Sequence, residues 1–196
     1  SDAKYDDQDR KDLHFLHSWK INNQFSTNLE YNYASDKDYF ADLNNNPNSK
    51  TDLNLRRAWE LNYRNGIPGL KAQLKVEDFQ TLDQSIAYEK RPYARLPQFL
   101  LNYKTGNPQG FQVEFNNDTA YFKKDLAAQD GEPSGTRIYN DFAVRYNYRN
   151  PWSFVIPEVS LRNINTFYDK ETLSTDTYKS SSKSESVTVP QFTLDT

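Results

Sequence analysis

The strongest constraint in this chain is a period of two in its apolar residues, repeated through nine segments whose connections alternate in length. In the stretch LNLRRAWELNY at 53–63, Leu53, Leu55, Trp59, Leu61 and Tyr63 fall on one side, and Asn54, Arg56, Glu60 and Asn62 on the other. A helix would spread these residues around its circumference, whereas a strand sorts them onto two faces. The same sorting sets Phe25, Leu29, Tyr31 and Tyr33 against Ser26, Asn28, Glu30 and Asn32, and Leu70, Ala72, Leu74 and Val76 against Lys71, Gln73, Lys75 and Glu77. It recurs with Phe111, Val113 and Phe115 against Gln112, Glu114 and Asn116, and with Phe142, Val144, Tyr146 and Tyr148 against Ala143, Arg145, Asn147 and Arg149. A first strand carries Leu13, Phe15, Trp19 and Ile21, a fifth runs over 97–104, and VTVPQFTLDT begins a ninth. The eighth, over about 152–168, places Val155, Val159 and Leu161 against Glu158, Ser160 and Arg162, and its length predicts a change of face near Asn163.

Short turns are predicted at Asn22-Asn23, at Asn65-Gly66 with Pro68-Gly69, at TGNPQG (105–110) and at Asn150-Pro151. Between them lie long polar stretches at 35–51, 80–96, 124–134 and 169–186. Pro92 and Pro97 forbid a helix and remove two backbone donors, so the segment before Gln98 is expected to be an ordered loop that feeds the fifth strand.

Strict alternation of short and long connections is the habit of an outer-membrane barrel, whose periplasmic turns are tight and whose outer loops are not. The Greek-key connections of a soluble sandwich give no reason for it. Trp19, Tyr33, Tyr63, Tyr103, Tyr121, Tyr148, Trp152 and Tyr168 lie near strand ends, where amphipathic rings suit the headgroup level. The expected fold is therefore all-β, an antiparallel up-and-down transmembrane barrel. Bacterial single-chain barrels use even strand numbers, so about nine strands make an arc of a larger wall, and residues 1–196 are expected to be one part of a barrel domain. A polar opening and a stop in mid-strand at QFTLDT fit a piece of a longer chain. The net charge of -3 gives no pull toward nucleic acid, and the absence of Cys excludes disulfides and thiolate metal sites within this stretch. On the residues alone two other readings stay open: a different outer-membrane barrel, such as a porin or TonB-dependent receptor, and a soluble all-β module with a Tyr/Trp platform for carbohydrate.

Three stretches resemble the LptD family of outer-membrane lipopolysaccharide-assembly proteins. The first is YNYASDKDYFADL at 31–43 with TDLNLRR at 51–57. The second is DFQTLD at 78–83 with RPYARLPQ at 91–98, and the third is SGTRIYNDFAVRYNYRNPWSFVIPEVSLR at 134–162 with VPQFTLD at 189–195. The resemblance implies a very large barrel in the cell outer membrane with the lipoprotein LptE as a plug in its lumen. It also implies a periplasmic jelly-roll domain that receives lipopolysaccharide from an LptA bridge, and a gap between first and last strands through which it reaches the outer leaflet. The jelly roll, the family's disulfide cysteines and the wall-closing strands have no counterpart here. The signature loops contribute Ser35, Asp36, Tyr39 and Phe40, and Arg91, Pro92, Tyr93, Arg95, Leu96 and Pro97, as structural or plug-docking residues. For Pro92 and Pro97 both a plug-docking loop and a rigid register-setting loop are open.

Lys71, Lys75, Arg145, Arg149 and Arg162 are expected to point into the lumen with Glu60, Glu77, Glu114 and Glu158. They would make a hydrated, mixed-charge lining for a phosphorylated saccharide or a plug; ordinary neighbour-strand ion pairing is an equal reading. His14 and His17, three apart in a strand, fall on opposite faces and cannot share a metal. Asp36, Asp38 and Asp42 lack the glycine and terminal glutamate of a calcium loop. No nucleophile elbow, phosphate loop or supported carboxylate pair appears, so neither an enzyme nor a cofactor is expected.

Overall fold

The alternation read from the sequence becomes one antiparallel meander. The computed structural model describes residues 9–36, 38–39, 54–83, 85–87, 90–124, 133–169 and 184–196. The strands are β1 (Asp12–Lys20), β2 (Phe25–Ala34), β3 (Asn54–Tyr63), β4 (Leu70–Thr81), β5 (Ala94–Lys104), β6 (Phe111–Lys123), β7 (Gly135–Tyr146), the two-residue β8 (Tyr148–Arg149), β9 (Phe154–Tyr168) and β10 (Ser184–Asp195). Each long strand pairs with its neighbours in chain order, and β8 pairs with β9. The sheet is open: β1 and β10 are its edges, and their side chains are exposed along almost the whole length.

Side chains that cap the backbone make the short turns tight. Asn22 Oδ1 accepts from the N–H groups of Gln24 and Phe25 at 2.8 Å each, and Asn150 Oδ1 accepts from those of Trp152 and Ser153 at 2.9 and 2.8 Å. Gly69 sits at φ +79°, and a Cβ there would stand 1.9 Å from the Lys104 carbonyl oxygen, so only glycine lets this turn lie against β5.

Two expectations about strand course need correction. The fifth strand does not wait for Pro97; it starts at Ala94 and takes the proline in. The pairing shifts between Arg95 and Gln98 against both β4 and β6, so Leu96-Pro97, a cis peptide, is a bulge where the ladder asks for no donor. β9, in turn, makes no change of face: its register to β7 and β10 is unbroken from Gly135↔Tyr168 to Arg145↔Glu158 and from Ser184↔Phe167 to Asp195↔Ile156. What changes near Asn163 is the chemistry of a face that continues straight through.

The two faces differ in kind. Along one lie Leu29, Trp59, Val76, Phe99, Phe142, Val159, Leu161 and Phe192, each at least 36% exposed. The opposite face carries the charged and amide side chains yet is the more enclosed, with Ala58, Asn62, Glu77, Gln98, Ala120 and Ser160 all buried. A flat sheet would expose both sides alike, so the sheet rolls toward its polar face and turns its apolar face outward. In a water-soluble fold this order would be reversed.

The apolar belt runs obliquely across the ladder. One paired row reads Phe25, Tyr63, Ala72 and Leu101 across β2 to β5, then Asn117, Asn140, Asn163 and Thr188 across β6 to β10. On β6 to β10 the belt lies nearer the short turns, in the rows Phe115, Phe142, Leu161, Pro190 and Val113, Val144, Val159, Phe192. A belt level with a membrane must cross the rows in this way when strands tilt by the roughly 35–45° that barrel closure demands. Replacing Leu74, in mid-belt, by Lys is expected to cost ~2–4 kcal/mol in the full-length protein folded into phospholipid vesicles, measured by urea titration. Gln73→Lys, on the polar face, should cost far less, and equal costs would mean that Leu74 does not face lipid.

Candidate functional site

The polar face is organised by one buried carboxylate. Glu77 of β4 is 5% exposed and accepts from Arg56 Nε of β3 at 2.7 Å, from Arg95 Nη1 of β5 at 3.0 Å and from Lys75 Nζ at 3.4 Å. Arg56 also bonds Glu60 at 3.1 Å and Glu30 of β2, so the network crosses four strands. Gln73 extends it by donating to Asn62 at 2.8 Å and to Glu60 at 3.4 Å. Farther round, Lys104 pairs with Glu114 at 3.1 Å, Arg145 Nε with Glu158 at 2.7 Å and Arg162 with Asp141 at 3.5 Å. Apart from Arg56–Glu60 within β3 and Lys75–Glu77 within β4, these links join neighbouring strands, so the charges stitch the curved face as well as wetting it.

Of the five cations expected here, Lys75, Arg145 and Arg162 lie on this face and hold carboxylates. Lys71 lies on it too, lining a groove of about 550 Å³ with Asn62, Gln73, Asn102, Asn116 and Asp118. Arg149, in β8, keeps the register of Arg145 but stacks over the Phe154 ring at 5.5 Å, beside the short turn. Arg95 joins the network through the Leu96-Pro97 bulge, since its odd number would otherwise align it with outward Phe99 and Leu101. Arg57 was not singled out in the sequence: it faces outward and sits 5.1 and 5.9 Å from the rings of Tyr31 and Tyr33. Its parity was the signal, an arginine on the apolar side of its strand, while its tyrosine neighbours lie across the pairing with β2.

The signature loops brace the rim at the long-loop ends of the strands. Arg10 grips Asp36 through two bonds of 2.9 and 2.7 Å, and Ser35 Oγ donates to the same carboxylate at 2.9 Å. The Arg10 guanidinium also lies 5.5 Å from the Tyr39 ring, which packs on Ala34, Leu55 and Leu82, while Tyr39 Oη donates to Asp12. Arg10 holds the Asp36 carboxyl below the usual carboxylate range, chiefly through its hydrogen bond and against a smaller opposing effect of burial. Phe40 and Asp42 fall outside the described residues. In the second loop Arg91 donates to the Ile86 carbonyl at 3.1 Å, and Tyr93 Oη donates to the Pro133 carbonyl at 3.3 Å. The Tyr93 ring meets Phe122 edge-on at 6.1 Å, with Lys124 Nζ 4.5 Å from its centre. Pro92 and Leu96 line a rim cavity of about 560 Å³, and Pro97 occupies the bulge. His14, bonded to Asn32, and His17, stacked at 6.3 Å on Phe15, sit on opposite faces. Among the described residues no group of three His, Asp or Glu is placed to hold a metal.

The family model for LptD, LPS transport system D, matches residues 8–196. The chain belongs to the LptD family. It is 70% identical to the LPS-assembly protein LptD of Acinetobacter baumannii and 66% identical to that of Acinetobacter baylyi, in each case over 100% of this chain and 24% of the relative. To the LPS-assembly protein LptD of Psychrobacter cryohalolentis it is 36% identical, over 100% of this chain and 20% of that protein. The chain thus spans about a quarter of the length of the first two of these relatives. Within this LptD segment the RPYARLPQ stretch makes the bulge and the Tyr93 brace, and the SDKDY stretch supplies Asp36 and Tyr39 to the clasp that Arg10 closes.

Glu77→Ala in full-length LptD is expected to lose ~2–3 kcal/mol, below the ~3–5 kcal/mol of a fully buried pair, because the guanidiniums it abandons reach water. Thermal melting in nanodiscs checks this, and Arg56→Met with Glu77→Met should melt higher than Glu77→Ala alone. The Asp36 clasp carries its own pH signature. A depressed carboxyl contributes stability present above its unfolded value and lost as pH falls through its folded one. Protease cleavage near residue 36 should therefore rise only in acid, and Asp36→Asn should show the raised rate already at neutral pH.

Proposed function

We propose that this chain is a stretch of the wall of an outer-membrane LptD barrel that delivers lipopolysaccharide to the outer leaflet without catalysing a reaction. In this reading residues 1–196 are one part of the barrel domain. The apolar face meets lipid, and the polar face lines the lumen that LptE plugs and the saccharide crosses. Lipopolysaccharide arrives over an LptA bridge through the family's periplasmic domain. The observation that carries the reading is that a chain matching LptD from residue 8 to its end folds as a sheet whose apolar side is the outer one. The LptD names of the relatives, LPS-assembly proteins, agree with it.

In lipid, such a sheet is tolerated only as part of a closed wall. The paired charges of the polar face suit a water-filled passage, since a lining of mutually satisfied acids and bases stays hydrated without trapping a charged cargo. Lys71 and the amides around its groove are the part of that lining that can offer hydrogen bonds to a passing sugar or phosphate.

The test is to change Lys71, Lys75, Arg145, Arg149 and Arg162 together to Gln in the full-length protein and to follow lipopolysaccharide arrival at the cell surface after depletion of the wild type. Arrival is expected to slow severalfold while barrel abundance and heat-modifiable migration are kept. Unchanged arrival with the plug retained would remove these five residues from the pathway.

A further inference from the structure

On the outward face of β6 to β10 the apolar belt ends abruptly in a ladder of amides. Asn117, Asn140 and Asn163 stand side by side on successive strands, with Thr188 next in the row and Asn165 one step nearer the long loops. Asn117 Nδ2 donates to Asn140 Oδ1 at 2.8 Å, Asn163 Nδ2 donates to Thr188 Oγ1 at 2.8 Å, and Asn165 donates to Asn163. Each amide has two N–H donors and an oxygen with two lone pairs, so these contacts hold the side chains in a row and leave bonding capacity facing out. Directly below lies the apolar row Phe115, Phe142, Leu161 and Pro190.

Charge is missing from this band. The outward residues of the row above, Thr119, Ile138, Asn165 and Ser186, are neutral as well. On β3 and β4, by contrast, the outward residues beyond the belt include Arg57 opposite Asp78. A lipid whose acyl chains cover the apolar rows must lay its headgroup on whatever adjoins them on the long-loop side. These two rows offer no cation for a phosphate, the next outward one on β6 being Lys123 at the strand's long-loop end, and present only a regular array of neutral donors and acceptors of the kind that hydroxyl groups complement.

We propose that the amide ladder is a contact surface for the neutral sugar rings that glycolipid molecules packed against the outside of the wall carry beyond their phosphorylated lipid A disaccharide. It is separate from the polar face that the transported molecule would cross. The inference rests on the outer-membrane reading above, which sets the long loops toward the glycolipid leaflet.

The experiment uses the full-length protein with its plug in nanodiscs, a nitroxide at Ile138 beside the ladder, and a second at Val144 within the belt. Discs are made of phosphatidylethanolamine alone, with lipid A lacking further sugars, or with lipopolysaccharide that keeps its core sugars. The label at 138 is expected to be open to a water-soluble nickel chelate in the first two and shielded in the third. Shielding should be lost when Asn117, Asn140 and Asn163 are all changed to Val. If that triple variant fails to insert, Asn140→Val alone gives the same reading at smaller amplitude. Equal shielding by lipid A would overturn the sugar assignment, and so would a label that is nickel-open in every disc, or oxygen-rich and nickel-poor in every disc. The ladder variant should export lipopolysaccharide normally, so failure here and failure of the transport reading are told apart.

Discussion

An amide or carbonyl left unpaired in hydrocarbon costs several kcal/mol, because no water is present to take the place of the missing partner. Every other feature of this sheet follows from meeting that demand. Nine long strands pair in simple sequence, so interior backbone groups are satisfied by immediate chain neighbours. The two edges, β1 and β10, carry the demand outward to whatever strands complete the wall, and their exposed side chains on both faces mark where the pairing is unfinished. With the backbone settled, the side chains are free to divide by solvent, apolar toward lipid and polar toward the enclosed side.

That division explains why the charged face is the better buried one. Curvature crowds the inner side chains, and crowding a carboxylate such as Glu77 is tolerable only when several donors reach it. Arg56, Arg95 and Lys75 do so from three different strands. The outer face has no such requirement, since the surrounding lipid supplies the dispersion contacts that a protein core would otherwise give. Where polar groups do appear outward, they sit in defined company: Arg57 between two tyrosines, Asn117 against Asn140, Asn163 against Thr188.

Much of this was legible in the sequence, because a period of two assigns faces strand by strand without any knowledge of pairing. The number of long strands, the alternation of their connections and the side on which Lys75 or Arg145 falls all come from it. Register was not legible. Nothing in the text of β7 says that Asn140 lies beside Asn117 and Asn163, so the oblique course of the belt emerges only once the rows are known. The expected change of face in β9 rests on the strand's length, and the polarity along it does not argue otherwise. Asn163 and Asn165 keep the parity of Val159 and Leu161 but not their polarity, and such a shift along a straight strand looks in sequence like a bend. The rim clasps were hidden for another reason, since Arg10 and Asp36 are brought together by strand pairing rather than by spacing.

Pro97 shows how one residue can be misread yet still point to the right place. In sequence an ordered loop is expected to feed the strand at Pro97, whereas the proline's lack of a donor is what allows an extra residue to be accommodated inside the strand. The insertion reverses the parity of everything before it. Without it Arg95 would share the outward side with Phe99 and Leu101, where a guanidinium costs ~2–4 kcal/mol at mid-bilayer and little only near the headgroups. With it, Arg95 turns inward, bonds the buried Glu77 at 3.0 Å and rests 5.9 Å from the ring of Phe122. The physical content of the RPYARLPQ stretch is thus a parity switch. Tyr93 holds it at the rim, Pro97 makes the slip, and Arg95 delivers the charge that the inner face needs.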